Sequence, residues 1–496
     1  MLKKILVLTA ILFTTNLPVR AEEKPIHLSL QDCLDLALKN NLDLKIERYN
    51  PETAKIELNR IYDEFGLIIG FKPSIQNSVS SSSNSFISGS NVLKDFSQSY
   101  DLYATKKLLT NGQASIQFQN GIDNTNSTRV DLNPAITPKF SLNFQQPILR
   151  NAFNGYRRIS IAKNDNLNAN LRLKSKAIDL VGQVQQAYWN IVLNKERLKV
   201  LEDSLSLNKE LLRINIEKEK AGFLAKVDLL TTESSIASKE EGLLQGRKAL
   251  EDSEDILKKL LNPNSTFNWD MSIKTDKIPE IKAMSTDFND SYNISLANRP
   301  DYQSSLIDNQ SLMVQTEIAK QNKLPDLTFN GSAGLNGLDS NYFSALGKLF
   351  SFNAYFLSIG LNFEIPVIGN VYDDDYQKSL LNQEKQKLTI QNYQQRLISE
   401  VRNSIRSLNT NQKRIVANKK TIQLTSEQVK AETEKLNLGL STNYQVLQFQ
   451  NDLQNANLNE LNSRIDYLKS LDALSQVEGI NLEKNNLIWD NVDKKN

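Results

Sequence analysis

The sequence predicts a mixed α/β membrane protein made of two internal repeats, each joining β-barrel strands to a long antiparallel pair of coiled-coil helices. Three observations lead there: an ordered series of self-matches about 220 residues apart, apolar residues at seven-residue spacing in stretches without proline, and segments of about ten residues that alternate apolar and polar. Composition agrees. Hydrophobic residues make up 40% of the 496, a little under the usual range, which suits an elongated body with much wetted surface. The formal net charge is +2, so the chain lacks the basic excess that nucleic-acid binding needs. One Cys, Cys33, and one His, His27, exclude an internal disulfide and the Cys- or His-rich metal sites. His27 is expected to be an incidental surface residue, and Cys33 a small buried one.

At the N-terminus, Lys3 and Lys4 precede an apolar run from Ile5 to Phe13, and Val19 and Ala21 suit a cleavage site after Ala21. Residues 1–21 are therefore expected to be a secretory signal peptide. The run is too short to anchor the chain in a bilayer, and no later run reaches about 18 apolar residues. Membrane entry would have to be as a β-barrel.

The repeat covers the rest. FQQPIL at 144–149 matches FEIPVI at 363–368, AGF at 221–223 matches LGL at 438–440, VDLL at 227–230 matches YQVL at 444–447, and Trp269-Asp270 matches Trp489-Asp490. These pairs lie 217 to 220 residues apart, whereas Asn41 onward matches Arg299 onward at 258. The difference places an extra stretch of about 40 residues between Phe71 and Pro147. The expected organisation is a first repeat at 22–270, with strands within 71–148 and a helical hairpin at 152–262; a linker at 271–289; and a second repeat at 290–496. The second repeat is expected to hold a helix at 290–323, strands within 326–366, a helical hairpin at 372–478 and a C-terminal tail.

Val401, Leu408, Ile415, Ile422, Val429 and Leu436 recur every seven residues, which implies a left-handed supercoil. Between them stand mostly Asn, Gln, Lys, Ser and Thr, so the apolar stripe is narrow. In the first half, Ile178, Val181, Val184, Tyr188 and Ile191 follow a similar rule, and a helix from about 155 to 219 would run roughly 100 Å. The strands differ in texture. Tyr355, Leu357, Ile359, Leu361 and Phe363 alternate with Phe356, Ser358, Gly360 and Asn362; Phe140, Leu142 and Phe144 alternate with Ser141 and Asn143. This is the outer-membrane barrel pattern. Pro147 and Pro366 close the two best strands and suit a strand-to-helix transition, since proline cannot donate to a ladder. The second repeat supplies two strands. The first supplies two, or four if 97–108 and 112–122 form an inserted hairpin; the alternative is a long extracellular hairpin. Four to six strands cannot close a membrane barrel, and an open edge in lipid is prohibitive, so the chain must oligomerise.

Together these features resemble the TolC-type outer membrane efflux protein family. The carriers are LSLQDCLDLALKNN at 28–41, QPIL at 146–149, Ala187-Tyr188-Trp189, and the turns AGFLAKVDLL at 221–230 and LGLSTNYQVL at 438–447. The resemblance implies a homotrimer whose barrel in outer-membrane lipid continues into a periplasmic α-helical tunnel. It implies docking onto a periplasmic adaptor protein, fed by an inner-membrane transporter of RND or ABC type, as the exit duct of a tripartite efflux or type I secretion system. By the same resemblance Gly222, Phe223, Gly439, Leu440, Ser441 and Thr442 form the periplasmic tips that dock the adaptor. Asp228, Gln445 and Gln448 fall where the family lines its entrance. Glutamines at 445 and 448 depart from the acidic pair of well-known members, and Asp228 either forms a smaller acidic ring or merely starts a helix. No catalytic residue, cofactor or metal is called for. The other reading is a periplasmic coiled-coil scaffold or adhesin without a pore, which leaves the duplicated strands and proline exits unexplained.

Overall fold

The computed structural model describes residues 26–222, 225–262, 269–281, 284, 286–367 and 369–487; the expected signal peptide lies outside them. In chain order the first half holds β1 (Ile26–His27), α1 (Leu30–Asn40), α2 (Leu42–Asp63), β2 (Leu67–Ser81), α3 (Ser85–Ser88), β3 (Val92–Lys107), β4 (Gln113–Thr125), β5 (Ala135–Pro147), α4 (Asn154–Lys220) and α5 (Lys226–Leu261). The second holds β6 (Ile273–Lys274), α6 (Phe288–Asn298), α7 (Pro300–Asn322), β7 (Asp326–Asn336), α8 (Tyr342–Phe350), β8 (Tyr355–Glu364), α9 (Val371–Asn437), α10 (Asn443–Val477) and α11 (Asn481–Lys484). The duplication is visible in lengths: α4 and α9 both have 67 residues, α1 and α6 both have 11. At 1.5 Å per residue α4 and α9 each run about 100 Å.

Local chemistry sets the breaks. Ser29 and Asp32 form a capping box at the start of α1, with Asp32 N donating to Ser29 Oγ at 3.1 Å and Ser29 N to Asp32 Oδ2 at 3.0 Å. Asn41 then ends α1 and caps α2, its Oδ1 accepting from Leu44 N at 3.1 Å. The matching break in the second repeat corrects the single helix expected at 290–323. Pro300 brings no N–H and disfavours helical backbone at the residue before it, so Arg299 is extended (φ −69°, ψ 114°) and α7 starts afresh.

Six strands form one sheet in the order β2-β3-β4-β5-β7-β8, every neighbouring pair antiparallel. The inserted hairpin is therefore two full strands between β2 and β5. The first strand also starts earlier than expected, at Leu67, and runs through Ser81. Register shows which face each residue takes. Ile69, Ala104, Ile116, Leu142, Ala333 and Leu357 are direct partners in one row across all six strands. Two residues along, Phe71, Leu102, Phe118, Phe140, Leu335 and Tyr355 form a second row on the same face. The opposite face carries Thr105, Ser115, Asn143, Ser332 and Ser358 in one row, with Ile68 as its β2 member. One face of the sheet is thus apolar and the other mainly polar, as lipid outside and water inside require.

The helices form a wall one layer thick. Near the sheet α4 packs against α2 and α7, and α7 against α9; farther away α4 packs against α5 and α10, and α10 against α9. Four helices therefore make the wall at either level. The chain exposes 31229 Å², against about 18,500 Å² expected of a compact monomer of this mass. The principal thickening is a core where α1, α4, α5, α10 and α11 converge, built on Cys33, Leu34, Tyr188, Ile191, Leu257, Leu261, Ile465 and Leu482. Ile273 of β6, from the linker, and Leu482 and Leu487, from the tail, join the same core. His27 is exposed and pairs with Asp276, Nε2 to Oδ1 3.1 Å. Among the described residues no helix is long and apolar enough to cross a membrane.

Candidate functional site: helical tips and strand exits

The end of the wall farthest from the sheet is made of two turns. In the first, α4 ends and Gly222 adopts φ +78°, with its N–H donating to Glu219 O at 2.9 Å. In the second, α9 closes in a Schellman motif: Leu440 N donates to Lys435 O at 2.8 Å, Gly439 N to Leu436 O at 3.2 Å, and Gly439 has φ +75°. Nothing lies within 4 Å of a Cβ built on Gly439, so its requirement is backbone strain, not space. Gly439→Ala is expected to cost about 1 kcal/mol locally and to speed amide exchange at Gly439's own position and Leu440 while leaving the core of α1, α4 and α10 protected. Phe223 lies outside the described residues.

The turn after Gly439 is held by its own side chains. Thr442 and Gln445 form a capping box, Gln445 N donating to Thr442 Oγ1 at 3.3 Å and Thr442 N to Gln445 Oε1 at 3.4 Å. Ser441 Oγ donates to Glu432 and also contacts Gln445 Oε1 at 3.0 Å. Lys435 Nζ stands 3.3 Å from Glu432 Oε2. The Ser441 hydrogen bond, with Lys435 adding to it, holds the Glu432 carboxyl below its ordinary range. Gln445 is thus committed to a local cap in the chain, and Gln448 is exposed. Asp228 lies in the first turn of α5, half-buried, and its carbonyl accepts from Thr232 Oγ1 at 3.1 Å. Sequence reasoning passed over Glu432, although the capping-box spacing of Thr442 and Gln445 was there to be read.

The two tips are joined. Leu211 of the first meets Leu436, Val446 and Leu447 of the second in a small buried cluster. Lys218 Nζ reaches Leu436 O at 3.4 Å and Asn437 Oδ1 at 3.3 Å, a cation at the negative end of α9. Polar pairs continue the seam: Ser204 with Gln454 at 2.7 Å, and Lys239 with Asn451 at 2.6 Å. Outside this contact the tips present large apolar side chains to solvent. Leu438 and Leu440 are each 74% exposed, and Tyr444, Val227 and Leu230 are also open.

At the other end the strands pass into the helices. Pro147 is the last residue of β5, opposite Thr328, and Ile148 N donates to Leu327 O at 2.8 Å. Pro366 lies two residues beyond β8, and Asn370 Oδ1 caps α9 by accepting from Tyr372 N at 3.2 Å. Cations tie the two exits together. Arg150 donates from Nε to Leu324 O at 3.0 Å and lies 4.4 Å over the Tyr372 ring; Lys323 pairs with Asp373 at 3.0 Å.

The family model for outer membrane efflux proteins matches residues 114–263 and 291–479. The chain belongs to the outer membrane efflux protein family. One matched block falls within each half of the chain, and membership places this efflux protein in the outer membrane as an exit duct. No curated protein matches the sequence. Solved structures do. The outer-membrane channel OprN is similar at a TM-score of 0.68 and 13% identity, over 91% of this chain and 89% of that one. The CmeC outer membrane channel of Campylobacter jejuni is similar at 0.66 and 18%, over 91% and 86%. The open state of the MtrE outer membrane channel of Neisseria gonorrhoeae is similar at 0.61 and 15%, over 91% and 89%. At these identities the likeness is one of fold.

Proposed function

We propose that three copies of this efflux protein form one continuous duct, a barrel in outer-membrane lipid above a periplasmic helical tunnel. A periplasmic adaptor and an inner-membrane transporter of RND or ABC type load it. The observation that carries this reading is the apolar face spanning all six strands with a polar face behind it, joined to a helical wall that is wet on both sides. Four helices per copy give twelve around a tunnel. The wall's free edges are also apolar: α2 exposes Leu42, Ile46, Tyr49 and Ile56, and α9 exposes Leu381 and Leu388. Such stripes on edge helices suit a neighbouring copy. The duct needs no covalent chemistry, because the transporter supplies the energy.

The tips around Gly222 and Gly439–Thr442 are the adaptor-docking surface in this reading, with Leu438, Leu440 and Tyr444 as the apolar contacts. Glu432, Asp228 and Gln448 lie nearest the entrance, and Gln445 acts there through its cap. Leu440→Glu should abolish export, read as hypersensitivity to dyes and detergents equal to that of a deletion strain. The variant should still run as a heat-modifiable trimer in the outer-membrane fraction. Full resistance in that variant would remove the second tip from the docking surface. A soluble, non-heat-modifiable wild-type protein would favour the scaffold reading instead.

A further inference from the structure

The sheet has two free edges, β2 and β8. Each pairs with one neighbour in the chain, β2 with β3 and β8 with β7. The outward N–H and C=O groups of both edges lack partners within the sheet, a cost of several kcal/mol per group in hydrocarbon. The sense of the edges matters. β2 leaves the helical wall from α2, and β8 returns to it through α9. They therefore run in opposite directions, and β8 of one copy can join β2 of the next by the same antiparallel ladder used inside the sheet. Directly below, α2 and α9 are the two edge helices of the wall, so one seam serves barrel and tunnel alike.

The inserted hairpin decides how many strands that closure contains. Leu102, Ala104, Ile116 and Phe118 continue both apolar rows without a gap, which fits lipid and not an aqueous loop. Its lower turn is also fixed to the junction with the tunnel. Thr110 Oγ1 donates to Gln146 Oε1 at 2.7 Å, Gln146 Nε2 donates to Thr110 O at 3.1 Å, and Phe153 N donates to Thr110 O at 3.2 Å. Leu109 O lies 2.5 Å from where a Cβ on Gly155 would stand, so α4 begins flush against this turn.

We infer that three copies, joined β8 to β2, close an eighteen-stranded barrel on a twelve-helix tunnel, with the turn at 108–112 seated on the shelf where the wide wall meets the narrow one. The inference rests on the trimeric duct proposed above. With strands about 4.8 Å apart and tilted about 40°, eighteen strands enclose a backbone diameter of about 36 Å, against about 24 Å for twelve. The membrane segment is then about 1.5 times as wide as a twelve-stranded one, and the selective narrowing belongs to the tunnel and its tips.

Electron cryomicroscopy of the full-length protein in lipid nanodiscs reads the count directly. Eighteen strands with β3 and β4 inside the wall are expected. Twelve strands around a trimer, with 92–125 outside the wall, would overturn the inference and leave the duct standing; particles that are not closed rings would overturn the duct itself. Cysteine pairs report the same in cells, in a Cys33→Ala background. Phe71→Cys with Leu102→Cys should close within the chain. Ile69→Cys combined in turn with Leu357→Cys, Ile359→Cys and Leu361→Cys should convert one of the three combinations from monomers to covalent trimers. Closure of Phe71→Cys with Leu142→Cys instead would mean that β2 meets β5 and the hairpin has left the sheet.

Discussion

Ile116→Arg is expected to eliminate the heat-modifiable trimer from the outer membrane, while Gln117→Arg, one residue on, leaves it in place. Ile116 stands mid-row on the apolar face, between Ala104 and Leu142. A cation at the middle of a lipid-facing strand costs about 2–4 kcal/mol, and a closed ring would suffer it three times. Gln117 stands on the other face, between Tyr103 and Ser141, where a lumen of water accepts the charge. The contrast reads both the depth of the inserted hairpin and which of its faces meets lipid. Equal tolerance of the two changes would place 113–125 outside the bilayer.

Asp472→Asn is expected to flatten the dependence of stability on pH and to raise stability at neutral pH. Asp472 is half-buried as a residue, but its carboxyl turns inward between α10 and α4. Trp189 Nε1 donates to Oδ2 at 2.7 Å and Gln185 Nε2 to Oδ1 at 3.1 Å. Burial raises its pKa to about 6, against the Trp189 hydrogen bond and the charge of Lys484. The folded protein therefore holds this proton at a pH where the unfolded chain, titrating near 4, has lost it. The contribution of Asp472 to stability is greatest below about pH 4, falls by on the order of 2–3 kcal/mol as pH rises to about 6, and is flat above that. Asparagine stays neutral throughout and still accepts from Trp189. Its amide also has a waiting partner: Gln185 Oε1 is buried and unpaired, and a flip of the Gln185 amide lets Asn Nδ2 donate to it. Thermal unfolding followed by helical circular dichroism at pH 4.5 and 7.5 checks this. A variant less stable than wild type at pH 7.5 would contradict it.

How much of this was legible in the residues depends on which interaction each element relies on. The long helices were the plainest. Their signal is repeated over tens of residues, and Val401, Leu408, Ile415 and Leu436 are buried as their spacing predicts. The last strand was equally clear, because its alternate residues all face lipid: Leu357, Ile359 and Leu361 are exposed in the single chain. β2 was harder. Gly70, Pro73 and Asn77 break its alternation, and its Ser-rich end looks like loop; what makes it a strand is its fifteen-residue register with β3, a tertiary fact. α8 was unseen for a related reason. It is a short helix between two strands, with Ala345 and Leu349 pressed inward and Gly337 leaving no room for a Cβ beside Ala345 O. At the tips, family likeness pointed to Gln445, but the local hydrogen bonds turn its amide to the Thr442 cap and bring forward Glu432, a residue 13 positions upstream on another helix.

Cys33, the chain's one thiol, sits at 0% exposure in the core where α1 meets α4 and α10. Burial, then the charges of Asp32 and Asp276, push its pKa up to about 12. Reagents that attack the thiolate have nothing to react with while that core is shut. The molecule therefore carries its own tell-tale: maleimide consumes the thiol only to the extent that the core of α1, α4 and α10 opens, so the reaction on the unaltered protein reports how often that core is open.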